Sequence, residues 1–117
     1  MKTENKILEM SFEFSLQIII LYKKLLESKE YVLSKQLLRS ATSIGANIEE
    51  ATAAQSKRDF IAKMAIASKE ARETRYWLKL LDKSKLVDID YSSYLIAIEH
   101  IINIITKIVK TSQESMV

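Results

Sequence analysis

The sequence predicts an all-α protein, an antiparallel up-down four-helix bundle, on three observations. One glycine and no proline occur in 117 residues, so the chain lacks the turn residues that sheet proteins need. Apolar residues recur at steps of three and four through four long stretches, the period of an amphipathic helix. The joints between these stretches are short, the first two of them polar, and short joints make neighbouring helices antiparallel. With 48% apolar residues, a single domain over residues 1–117 buries a core without disulfides or metal.

The first helix is expected over about 5–27. Ile7, Phe14, Ile18, Leu21 and Leu25 share one face, and Leu8, Phe12, Ile19, Tyr22 and Leu26 lie on its flank. The polar joint Ser28-Lys29-Glu30 contains no glycine to mark its ends. The second helix, over about 31–54, carries Leu37, Ala41, Ile44, Ile48 and Ala51 at steps of four and three, a heptad seam. Gly45 interrupts it at a cost of ~1 kcal/mol against Ala, which points to close approach by a neighbouring backbone.

The third helix, over about 57–84, starts at Ser56-Lys57-Arg58-Asp59, which resembles a capping box with Asp in place of Glu. Its seam is Phe60, Met64, Ala67, Ala71, Leu78 and Leu81, and it ends among lysines near Lys83 to Lys85, which suit the negative helix terminus. The fourth, over about 90–111, is capped by Asp88 or Asp90. Its face is Tyr94, Leu95, Ile98, Ile101, Ile102, Ile105, Ile108 and Val109, widened by Ile96 and Ile104, and its tail from Thr111 is expected to fray. Helices one and four carry more apolar surface than one seam needs, so copies of the chain are expected to associate.

Net charge is +3, unevenly placed. Residues 1–56 hold seven basic and seven acidic side chains, residues 57–88 nine and five, and residues 89–117 two and three. The basic excess therefore belongs to the third helix. The absence of Cys excludes thiolate chemistry and fits a reducing cytosol. The opening MKTENK has mixed charge and no cleavage site, and the uninterrupted apolar runs are far shorter than the ~18 residues of a membrane span. The expectation is a soluble cytoplasmic protein with no membrane partner.

The inventory argues against catalysis. A carboxylate-bridged metal site in a bundle needs Glu-x-x-His repeats. The single histidine, His100, has Glu99 adjacent, on a different face. One His also leaves no Ser-His-Asp set, and no Gly-rich phosphate loop exists. Glu70 and Glu73 share a face, and an ion-pair network with Arg39, Arg72 and Arg75 accounts for them more simply than acid–base chemistry. The expectation is no enzyme, no cofactor and no metal.

Arg58, Lys69, Arg72, Tyr76, Lys79 and Lys83 fall on one rail of the third helix, with Ala62 and Ala65 filling the gap. Cations along a rigid helix can meet successive phosphates and release counterions, and Tyr76 can stack on an unpaired base. Exposed Lys and Arg on a helix are also ordinary solubilising residues. Adjacent Tyr76 and Trp77 cannot face one seam, so one ring belongs in the bundle and the other at a rim or subunit contact. Asn47, one turn beyond Ser43, and Glu50 are polar groups near a packed seam. A structural role in fixing register or an interface outweighs chemistry for them.

These residues also resemble a known family, the four-helix-bundle proteins related to the 23S rRNA intervening-sequence protein. The resemblance rests on Ser43-Ile44, Ala46-Asn47-Ile48 and Glu50, then Ser56, Asp59 and Phe60, then Ala67, Glu70 and Glu73, against a family pattern close to S-I-x-x-N-I-x-E-G and S-x-x-E-F. The segment Glu73-Thr74-Arg75-Tyr76-Trp77-Leu78 resembles one branch of it. It covers about residues 35–86 in detail. The resemblance implies a ring-shaped homopentamer and an association with rRNA genes. The chain is also similar to the accessory variability protein of diversity-generating retroelements, which implies a reverse transcriptase and nucleic acid as partners. Ala51 replaces the usual Gly after the Glu, and Ala54 replaces a commonly basic residue. Two functions are expected: a non-enzymatic scaffold associating with RNA or DNA through the basic face, or a protein–protein adaptor ring that binds no nucleic acid directly.

Overall fold

The computed structural model describes residues 2–116, apart from the side chain of Lys2. Four helices follow in order: α1 (Lys2–Glu27), α2 (Leu33–Thr52), α3 (Lys57–Ser84) and α4 (Ser92–Glu114), and no strand occurs among the described residues. α1 packs against α2 and α4, and α3 packs against the same two helices. The four helices form an elongated body of 49 × 21 × 21 Å. The predicted seams make its core: Ile7, Phe14, Ile18, Leu21 and Leu25 of α1, Leu37, Ala41, Ile44, Ile48 and Ala51 of α2, Met64, Ala67, Ala71, Leu78 and Leu81 of α3, and Ile98, Ile101, Ile102, Ile105 and Ile108 of α4 are buried, while Phe60, Tyr94, Leu95 and Val109, expected on the same seams, are only partly buried at their edge.

The joints explain where the helices stop. Lys29 adopts a left-handed conformation (φ 65°). Glu30 N–H donates to the Leu25 carbonyl and Lys29 N–H to the Leu26 carbonyl, both at 2.9 Å. This is a Schellman ending made without glycine. The Glu30 carboxylate then accepts from the amides of Val32 (3.1 Å), Leu33 (3.1 Å) and Ser34 (2.6 Å). It occupies three of the orphan donors at the start of α2, so α2 begins two residues later than the sequence predicts. Burial raises the Glu30 carboxyl pKa, but those N–H donors outweigh it and hold the group below the usual glutamate value.

Ser56 caps α3 as predicted, accepting from the Asp59 amide at 3.0 Å. Ahead of α4, Asp90 accepts from the Ser92 amide (3.0 Å) and hydroxyl (2.6 Å). Those bonds hold its carboxyl low. Tyr91 plugs the α3–α4 connection, fully buried and donating its phenol to the Val87 carbonyl at 2.9 Å. Burial pushes that phenol up to about 12.

Three expectations change. The C-terminal tail does not fray at Thr111: α4 continues to Glu114, and Lys57 Nζ reaches Ser115 Oγ at 2.6 Å. Surplus apolar surface sits on α1 far more than on α4. Phe12, Leu16, Ile19 and Ile20 are exposed on α1, whereas Ile96 is the large apolar residue left exposed on α4. Finally, α4 is long and apolar enough, by length and composition, to cross a bilayer. The uninterrupted-run criterion passes over it because polar residues punctuate the isoleucines. Here Ile98, Ile101, Ile102, Ile105 and Ile108 form the bundle seam.

Candidate nucleic-acid interface

A helix of this length lays its rail residues along ~37 Å between Arg58 and Lys83 at 1.5 Å per residue. Arg58, Lys69, Arg72, Tyr76, Lys79 and Lys83 are all exposed. Ala62 and Ala65 are exposed between the first two of them, so the cations cluster in the C-terminal two-thirds of α3. Tyr76 is 55% exposed and meets the Trp77 ring edge-on, with centroids 5.2 Å apart. Trp77 is half-buried against the core and donates its indole N–H to Glu73 at 3.0 Å.

Each arginine of the polar network takes a different partner. Arg39 of α2 bridges Glu70 (3.4 Å) and Glu73. Arg75 instead forms a two-oxygen pair with Glu99 of α4 at 3.1 and 2.9 Å. Arg72 points across the α3–α4 groove, 3.5 Å from Thr106 Oγ1. The expected network of all three arginines with Glu70 and Glu73 is thus reduced to Arg39. Helical phase separates them, since residues 72 and 75 face α4 while 70 and 73 face α2.

Two polar residues singled out from sequence are less embedded than expected. Asn47 is half-buried and donates to the Ser43 carbonyl of its own helix at 2.8 Å. Glu50 is exposed and pairs with Lys63 of α3 at 2.9 Å; that hydrogen bond raises the lysine pKa. The polar contact buried between α2 and α3 is one sequence reasoning missed: Thr74 and Ser40, both fully buried, hydrogen-bond at 2.8 Å. Their polar spacing inside an otherwise apolar seam was the available signal. His100 is exposed, and among the described residues no group of His, Asp and Glu is placed to hold a metal ion.

A second surface lies on the α1–α2 side. Leu8, Phe12, Ser15, Thr42, Gly45 and Ala46 line a groove of 570 Å³ with Glu9 and Glu49 at its rim. A methyl group built on Gly45 would sit 3.6 Å from Ser11 Oγ and 3.7 Å from the Ser11 carbonyl, an ordinary contact distance. The α1 backbone thus approaches position 45 as expected, yet the bundle still has room for Ala there. Ser11 and Ser15 supply the slack, being small.

The 23S rRNA-intervening sequence protein family profile matches residues 3–107 of the chain. The crystal structure of a protein of unknown function from the S23 ribosomal protein family of Bacteroides thetaiotaomicron is 47% identical to it. That match covers 92% of this chain and 98% of the other, with a TM-score of 0.88. No curated protein matches.

Proposed function

The chain belongs to the 23S rRNA-intervening sequence protein family, and from that premise we propose that it is a non-enzymatic, homo-oligomeric helical scaffold that associates with RNA or DNA through the exposed cationic face of α3. The observation that carries this reading is the row Lys69, Arg72, Lys79 and Lys83, exposed along one helix. Fixed cations at helical intervals neutralise backbone phosphates and gain from counterion release. Tyr76, standing in the middle of that row, offers a face for stacking. We read Gly45, Asn47, Glu50, Glu70, Glu73 and Trp77 as structural and assembly residues: Glu50, Glu70 and Glu73 pair across to a neighbouring helix, Gly45 lies beside Ser11 of α1, Trp77 packs against the core, and Asn47 is tied to its own helix through the Ser43 carbonyl.

The assembly we propose is a ring of five copies in the cytoplasm, joined through the α1–α2 side. Phe12 at 66% exposure, with Leu16, Ile19 and Ile20, is an apolar ridge of a kind that soluble surfaces rarely leave uncovered. The same ridge supports a second reading, an adaptor ring that grips another polypeptide, such as a reverse transcriptase, and binds no nucleic acid directly. A gel-shift titration with structured RNA at low and moderate salt separates the two. Salt-sensitive retardation is expected, and affinity indifferent to salt excludes phosphate contact as the main term. Light scattering tests the ring: a mass several times 13.5 kDa is expected, and a subunit mass in dilute solution refutes it.

A further inference from the structure

Between α3 and α4, near the C-terminal end of α4, lies a groove of 270 Å³ lined by Ala65, Ser68, Arg72, Thr106, Lys110 and Gln113, with Val109 at its wall. Other grooves on the surface hold carboxylates: Glu9 and Glu49 in one, Glu9 and Glu13 in another, Asp82 and Glu99 in a third. This one holds none. Two cations, two hydroxyls and a carboxamide converge there without a counter-charge. Among the described residues, neither Arg72 nor Lys110 pairs with a carboxylate.

The groove is also partly organised. Thr106 donates its hydroxyl proton to the Ile102 carbonyl at 2.7 Å, which leaves its oxygen to accept from Arg72 Nη2 at 3.5 Å. One of the five guanidinium N–H donors is thereby tethered, and the others stay available in the fork geometry that matches phosphate oxygens. Ala65, two turns before Arg72 on the same rail and exposed, leaves the groove unobstructed. The volume takes a phosphate with part of its sugar and is too small for a protein helix.

We infer that this groove is a phosphodiester subsite. Arg72 and Lys110 hold one backbone phosphate of a nucleic-acid strand, Ser68, Thr106 and Gln113 meet the neighbouring sugar and phosphate oxygens, and the strand runs on past Lys69 and Tyr76. The inference rests on the nucleic-acid reading above and names where on the basic face a phosphate is held.

The test is fluorescence anisotropy of a labelled structured RNA with the full chain across a salt series. The variants are Ala65→Glu, which brings a carboxylate into the groove on a good helix former, the pair Arg72→Gln with Lys110→Gln, and Lys23→Gln on α1 as control. Circular dichroism verifies that each variant is folded. Ala65→Glu is expected to weaken binding about tenfold or more. The paired variant is expected to lower the salt slope by about 1, and Lys23→Gln to match the parent. If the parent binds RNA and the groove variants keep its affinity and slope, the subsite is overturned while the basic-face reading stands. If the parent binds no RNA, both fall. Inorganic phosphate is the second arm, compared with chloride at equal ionic strength. Equal displacement of RNA by the two supports a strand phosphate. Specific displacement by phosphate that Ala65→Glu abolishes identifies a free-phosphate pocket and overturns the assignment.

Discussion

Along the α1–α2 side, Phe12, Leu16, Ile19 and Ile20 stand in solvent beside a groove floored by Gly45 and Ala46. The α3–α4 side instead presents Arg58, Lys69, Arg72, Lys79 and Lys83 of α3, with Lys110 of α4. Both sides are built from the same kind of helix and share one core. They differ in what their outer residues need. Exposed aliphatic surface loses free energy in water, about 25 cal/mol per Å², and gains by meeting another apolar surface. Exposed cations are well solvated and gain only by meeting an anion, and salt screens that gain. One bundle thus carries an apolar outer face and a cationic one. In the proposed ring the cationic face would repeat on every subunit.

The largest expected effect lies in the charge on α3. Exchanging Lys69, Arg72 and Lys79 together for Glu is expected to abolish RNA retardation, a loss of at least about 100-fold from three reversed phosphate contacts, with an unchanged circular dichroism spectrum. Persistent binding clears α3 of the role. The apolar side is challenged by Phe12→Asp with Leu16→Asp. Both residues are exposed, so the fold should survive while light scattering falls toward the subunit mass of 13.5 kDa. An unchanged mass moves the interface elsewhere.

Smaller effects sharpen the picture within the bundle. Glu30→Ala removes the acceptor of three amide bonds and should cost about 1–2 kcal/mol in a urea titration. The depressed carboxyl pKa sets the sign with pH. The advantage of the parent over Glu30→Gln is complete above the ordinary glutamate value of 4.5 and disappears as pH falls through the lower folded-state value. Gly45→Ala should stabilise the isolated bundle by about 0.5–1 kcal/mol, since the atoms nearest the added methyl, on Ser11 and Ser15, lie at ordinary contact distance. Gly45→Leu should fill the groove and impair assembly. Assembly and melting temperature both unaltered by Leu would place position 45 on an open face.

Much of this was legible along the chain. The seam residues of all four helices, the Ser56 cap and the exposed rail of α3 follow from spacing alone, because each depends on neighbours three or four positions away. Glu30 was hidden: as one residue in a polar joint it looks like solvent-facing charge, and its role depends on a chain reversal that brings three amides onto its carboxylate. Thr74 and Ser40 were hidden for a related reason, being 34 residues apart. The groove of Arg72, Thr106 and Lys110 draws on two helices, and the rail of one cannot announce the other.

Local periodicity determined that this chain is four helices, where their buried stripes run, and which helix carries the positive charge. Burial of an amphipathic stripe is a one-dimensional property, fixed by steps of three and four. Tertiary structure alone decided which cation meets which partner: Arg39 with Glu70 and Glu73, Arg75 with Glu99, and Arg72 with Thr106 across an acid-free groove. Long charged side chains reach past their own helix, and the axial offset between neighbouring helices chooses among partners that the sequence leaves equivalent.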